Sequence, residues 1–123
     1  MFKVDEEKTI HLTRGDVAVL SVTADVGGSP YVFTAGEVVR LKVVEEKDCS
    51  AIVLQKDVTV AEECTAVEIQ LSKEETKIGE LINKENDYWY EIELNPDTEP
   101  QTIVGYDEDG PKIFRVYPEG DDA

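Results

Sequence analysis

A chain of 123 residues with 41% apolar and 33% charged side chains is long enough for one core and too apolar to be disordered throughout. Its net charge of −16 lies mostly in the second half: residues 1–60 carry 7 Lys/Arg against 10 Asp/Glu, residues 61–123 carry 5 against 18. A surface of that sign repels phosphate backbones and anionic bilayers, so no nucleic acid and no membrane is expected as a partner. The acidity serves either solubility or a basic protein partner.

No apolar run approaches the roughly 20 residues that span a bilayer. The start, Met1 to Glu7, lacks the basic and apolar regions of a secretion signal, so export is not expected. Thr9 to Leu12 alternates and stops at the turn-forming Arg14-Gly15-Asp16. Val17 to Ala24 is apolar on both faces, which predicts a strand covered on two sides or central in its sheet. Asp25 to Pro30, with two glycines and a proline, predicts a turn; Tyr31-Val32-Phe33 is a short strand broken at Thr34 to Glu37.

Val38 to Val44 points Val39, Leu41 and Val43 inward and Arg40 and Lys42 outward, and Ala51 to Leu54 follows a charged turn. Val58 to Val60 either continues that strand or forms its own. Thr65 to Leu71 alternates cleanly, with Val67, Ile69 and Leu71 against Glu68 and Gln70. Ser72 and Glu75 have capping-box spacing, which predicts one short helix near 72–82. In Tyr88 to Leu94, Tyr88, Tyr90, Ile92 and Leu94 share one face and Trp89, Glu91 and Glu93 the other. Thr102 to Tyr106 and Lys112 to Tyr117 read as a hairpin closed by Asp107 to Gly110, and 118–123 as an acidic flexible tail.

This pattern predicts an all-β fold: one antiparallel β-sandwich over 1–117, immunoglobulin-like, with about seven or eight strands. Chemistry-bearing motifs are few. His11, the single histidine, is placed by alternation on the surface, away from the apolar face. Cys49 and Cys64 form neither a disulfide framework nor a zinc cluster, and reduced thiols are expected. Asp107-Glu108-Asp109-Gly110 reads as a hairpin turn rather than a calcium loop, and Arg14-Gly15-Asp16 as a turn rather than an adhesion tripeptide. No enzyme activity and no cofactor is expected. Trp89 is the candidate interface anchor, unless segment 72–82 folds over it. Tyr31 and Phe33 join it as candidates for an aromatic interaction surface.

The order of motifs carries a resemblance. Ile10-x-Leu12-x-Arg14-Gly15-Asp16 is followed by Tyr31-x-Phe33-x-x-Gly36-Glu37 and Val39-x-Leu41-x-Val43. Leu71-Ser72-x-Glu74-Glu75-Thr76, Tyr88-x-Tyr90-x-Ile92-x-Leu94 and the turn Asp109-Gly110 come next. From about residue 9 to 117 this resembles small β-sandwich domains encoded in the structural-gene regions of phages and prophages of Gram-positive bacteria, some of them similar to baseplate or upper tail-fibre domains.

The resemblance implies a virion structural or assembly protein made in the host cytoplasm, with other phage structural proteins as partners and a homo-oligomer open to it. It brings no catalytic residues. The alternative function is a ligand- or carbohydrate-binding sandwich using Trp89, Tyr31 and Phe33 as a stacking platform.

Overall fold

The computed structural model describes residues 2–4, 8–78 and 84–118. Among them run eleven strands: β1 Phe2–Val4, β2 Ile10–Thr13, β3 Ala18–Val22, β4 Asp25–Val26, β5 Ser29–Pro30, β6 Val38–Glu45, β7 Ile52–Thr59, β8 Val67–Leu71, β9 Asn86–Leu94, β10 Gln101–Val104 and β11 Lys112–Tyr117. The fold is all-β. Seven strands form one curled sheet in the order β1-β2-β11-β9-β6-β7, with β10 added to β9, and β3 and β8 form a separate two-stranded ribbon.

The most regular alternation in the sequence becomes the middle of the large sheet. One edge of β9 pairs with β6 from Tyr88 to Leu94. Its other edge is divided: β11 takes Asn86 to Tyr90, and β10 takes Ile92 to Leu94. Tyr88, Tyr90, Ile92 and Leu94 are buried, as are Val39, Leu41 and Val43 of β6 and Phe114 and Val116 of β11. In the ribbon, Ala18, Leu20 and Val22 lie opposite Leu71, Ile69 and Val67, and all six join the same core. Burying each Val, Leu, Ile or Phe side chain contributes about 1.5–3 kcal/mol, so this shared interior is the main source of stability.

Several expectations need correction. The sheet is mixed rather than antiparallel, because β11 pairs with β2 in parallel, Phe114 opposite Ile10 and Tyr117 opposite Thr13. Strand direction is set by how distant segments meet, which a local alternation does not encode. The strand count rises because β1, β4, β5 and β10 span only two to four residues each, too few to show a period. The expected hairpin is absent: β10 pairs with β9, and β11 lies between β9 and β2. Residues 58–59 continue β7. Tyr31 to Phe33 reduces to one bridge between Phe33 and Cys64.

The strand from Val17 is not covered on two sides. Val17 is 73% and Val19 48% exposed, so β3 has one solvent face. The predicted helix is a turn within residues 72–78, while residues 79–82 of that span lie outside the described residues. Its capping pair does form: Glu75 N–H donates to Ser72 Oγ at 3.2 Å, and Ser72 N–H donates to Glu75 Oε1 at 3.0 Å. Thr76 then turns its hydroxyl to the Asp16 carbonyl at 2.8 Å, and buried Ile78 anchors the exit into the core. Tertiary contacts thus use the turn without propagating it. Of the expected tail 118–123, residues 119–123 also lie outside the described residues. No helix among the described residues is long and apolar enough to cross a membrane.

Candidate functional site

Alternation along β9 turns Trp89 away from the core, where it pairs in register with Val44 of β6 on one side and Ile113 of β11 on the other. β6 carries a register irregularity against β7 at Val43/Val44, and both valines are buried. Beside Trp89 the chain after β10 passes close to the sheet at Gly105: a Cβ there would lie 2.7 Å from Thr102 Cγ2. That close passage sets Tyr106 against Trp89, edge to face, with centroids 6.1 Å apart and planes at 62°.

The turn that follows is closed by Asp107 and Gly110, each N–H donating to the other's carbonyl at 3.2 and 2.9 Å, with Gly110 at φ 96°. The Asp107 carboxylate accepts from Lys112 Nζ at 2.7 Å and from Asp109 N–H at 2.9 Å, so this is the expected tight turn.

Together these segments enclose a hollow of about 240 Å³ lined by Lys42, Val44, Cys49, Trp89, Tyr106 and Pro111. Trp89 is half-buried in it, and Tyr106 is 72% exposed. On its charged side, Lys42 Nζ lies 3.1 Å from Glu91 and 4.0 Å from Glu93. Desolvation, with the neighbouring Glu91 charge second, holds the Glu93 carboxyl above the usual carboxylate range. Farther along the same face Arg40 reaches Asp57 at 2.8 Å and Asp97 at 3.1 Å.

Trp89, Tyr31 and Phe33 do not form one platform. Phe33 is fully buried, so it presents no ring at the surface. Tyr31 packs edge to face on it at 5.0 Å, and its hydroxyl donates to Glu37 Oε2 at 2.7 Å. Glu37 immediately precedes β6, whereas Val44, the neighbour of Trp89, lies seven residues on. At 3.2–3.4 Å per residue the two aromatic groups stand roughly 23 Å apart along the strand. Tyr106 is the site residue the sequence reading passed over. Its signal was an aromatic residue directly before an Asp-x-Asp-Gly turn, which fixes a side chain where the chain reverses.

His11 is buried rather than on the surface, because Tyr117 stacks on its ring at 6.0 Å and its Nδ1 is joined to the Tyr117 hydroxyl at 2.8 Å. Arg14-Gly15-Asp16 is tied into the fold: Asp16 N–H donates to Thr13 O at 3.0 Å and Arg14 Nε to Ile78 O at 3.3 Å. Cys49 is an exposed free thiol and Cys64 a half-buried one. No family model matches the chain, and neither a curated protein nor a solved structure matches it.

Proposed function

We propose that this chain is a non-catalytic docking module of the phage or prophage virion-assembly class, built as an immunoglobulin-like sandwich and joining other structural proteins in the tail or baseplate region. The observation that carries the docking reading is the pairing of Trp89 with the exposed Tyr106 around a hollow on the outer face of β9. Aromatic side chains that are both exposed and held rigidly by their neighbours are the usual anchors of protein interfaces. β9 supports them from below, since its inward residues form the middle of the core.

The residues that carry the phage resemblance have architectural roles here. Glu37 closes the loop before β6, Ser72 and Glu75 close the turn after β8, and Tyr88 to Leu94 build β9. They support a likeness of scaffold, and Trp89 with Tyr106 supplies the docking anchor. The net charge of −16 makes self-association the less favoured use of that anchor.

Co-expression with the products of neighbouring genes tests the reading. The wild-type chain should co-purify with one of them, and Trp89→Ala with Tyr106→Ala should lose it while remaining folded. Retention of no neighbouring product, together with binding to a glycan array, would overturn the proposal.

A further inference from the structure

The hollow beside Trp89 has a chemical preference that can be read from its size and its charge. Its volume of about 240 Å³ lies below the roughly 300–1,000 Å³ of ordinary small-molecule sites, so its scale suits one inserted side chain. Two rings, Trp89 and Tyr106, meet edge to face at its wall, Tyr106 at 72% exposure and Trp89 partly buried.

Both lysines at the hollow are already neutralised. Lys42 Nζ is 3.1 Å from Glu91 with Glu93 at 4.0 Å behind it, and Lys112 Nζ is 2.7 Å from Asp107. The turn that follows Tyr106 adds to this: residues 107–109 carry three carboxylates, of which Asp107 is the partner of Lys112. Lys42 and Lys112 are outnumbered by Glu91, Glu93 and the three carboxylates of residues 107–109, a balance that disfavours an acidic or phosphorylated occupant.

We infer that this hollow is a cation–π subsite that accepts an arginine side chain from a basic segment of the partner protein. The inference rests on the docking reading above and names the chemistry of its partner. A guanidinium suits the site better than an ammonium because it is planar, stacks on aromatic faces and gives up hydration more readily. Glu91 in the lining and the carboxylates of residues 107–109 after Tyr106 favour a cation there, so charge and ring contacts act on the same group.

Trp89 is the only tryptophan in the chain, so its fluorescence reports on this site alone. The probe is a capped Gly-Arg-Gly peptide, compared with the same peptide carrying citrulline, which keeps the shape and removes the charge. The arginine peptide should give a saturable change in Trp89 emission in the millimolar range, weakened by salt, and the citrulline peptide none. Tyr106→Ala, at an exposed position that leaves the core intact, should weaken binding about two- to fivefold, the size of an exposed cation–π contact. Glu91→Gln should weaken it further at low salt.

Equal responses to the two peptides, no saturable response, or undiminished binding by Tyr106→Ala would each overturn the inference. Co-purification through Trp89 and Tyr106 without arginine binding would leave docking standing and remove the cation subsite. Arginine binding without co-purification would do the reverse.

Discussion

Asn95 and Val38 hold each other by two hydrogen bonds: Asn95 N–H donates to the Val38 carbonyl at 2.7 Å, and Val38 N–H donates to Asn95 Oδ1 at 3.1 Å. Asn95 sits at φ 50°, a left-handed conformation that Asn tolerates better than most residues. Its Nδ2 also donates to Glu37 Oε2 at 3.0 Å, so one side chain ties the end of β9 to the start of β6. Asn95→Ala should cost about 2–3 kcal/mol, from lost hydrogen bonds and left-handed strain. Asn95→Gly should cost less, since it removes only the hydrogen bonds. Urea unfolding of the two variants checks this, and equal losses would mean that the backbone conformation carries no cost.

Acid should weaken the same corner. Desolvation pushes the Glu37 carboxyl up, but hydrogen bonds from Thr34 N–H, the Tyr31 hydroxyl, Asn95 Nδ2 and the Thr34 hydroxyl outweigh it and hold the pKa below the ordinary value. A depressed carboxylate contributes stability that is present above its unfolded pKa, about 4.3, and lost as pH falls through the folded value. Stability should therefore decline below about pH 5. Glu37→Gln should be less stable at pH 7 and show a shallower decline between about pH 5 and 3. A parallel decline in wild type and variant would show that other carboxylates set the acid response.

Ile92 and Trp89 separate folding from docking. Ile92 is 2% exposed at the centre of β9, and Ile92→Ala should cost about 2–5 kcal/mol through lost burial and the cavity left behind. Trp89→Ala should cost less, roughly 1–2 kcal/mol, since the ring is only partly buried on the outer face of β9 and its edge contact to Tyr106 contributes about 0.5–1.5. Equal thermal losses would place Trp89 in the scaffold and remove it as a docking anchor.

Gly105→Ala should act on both. The added Cβ meets Thr102 Cγ2 at 2.7 Å, a short and stiff side chain, so the chain after β10 must move outward. Overpacking of this kind costs about 1–3 kcal/mol, and it should displace Tyr106 and shift the emission of Trp89. Unchanged fluorescence would show that Tyr106 reaches its position independently of Gly105.

The two cysteines should react at separate rates with a thiol reagent under native conditions. Cys49 is exposed beside the hollow, whereas Cys64 is half-buried and bridged to Phe33. One equivalent should react quickly and the second slowly, and a bulky label on Cys49 should alter Trp89 emission. Two equal rates would contradict the packing of Cys64.

The parts of this molecule that sequence made legible are those written in neighbouring residues. Tyr88 to Leu94 and Val67 to Leu71 alternate because each has one face in the core, and Ser72 with Glu75 pair because they are three apart. What covers a face is not local. Val17 and Val19 look like core residues by type, yet the ribbon of β3 and β8 leaves them in water. His11 looks like a surface residue by alternation, yet Tyr117, 106 positions away, closes over it. The site was half legible for the same reason: Trp89 stands out in a charged strand, whereas Tyr106 gains its role only from the passage of residues 102–105 beside β9.

The parallel pair of β2 and β11 has a consequence for biosynthesis. Among the described residues, and apart from three-residue β1, the only sheet partner of β2 is β11, about a hundred residues further along the chain. Residues 10–13 therefore emerge from the ribosome about a hundred residues before the segment that seats them, some 5–20 seconds at ordinary elongation rates. Until then Ile10 and Leu12 remain uncovered on the nascent chain, and chaperones that recognise short apolar stretches have a defined window in which to hold them. Closure of this sheet thus waits for residues 112–117, about a hundred residues after the strand that they lock in.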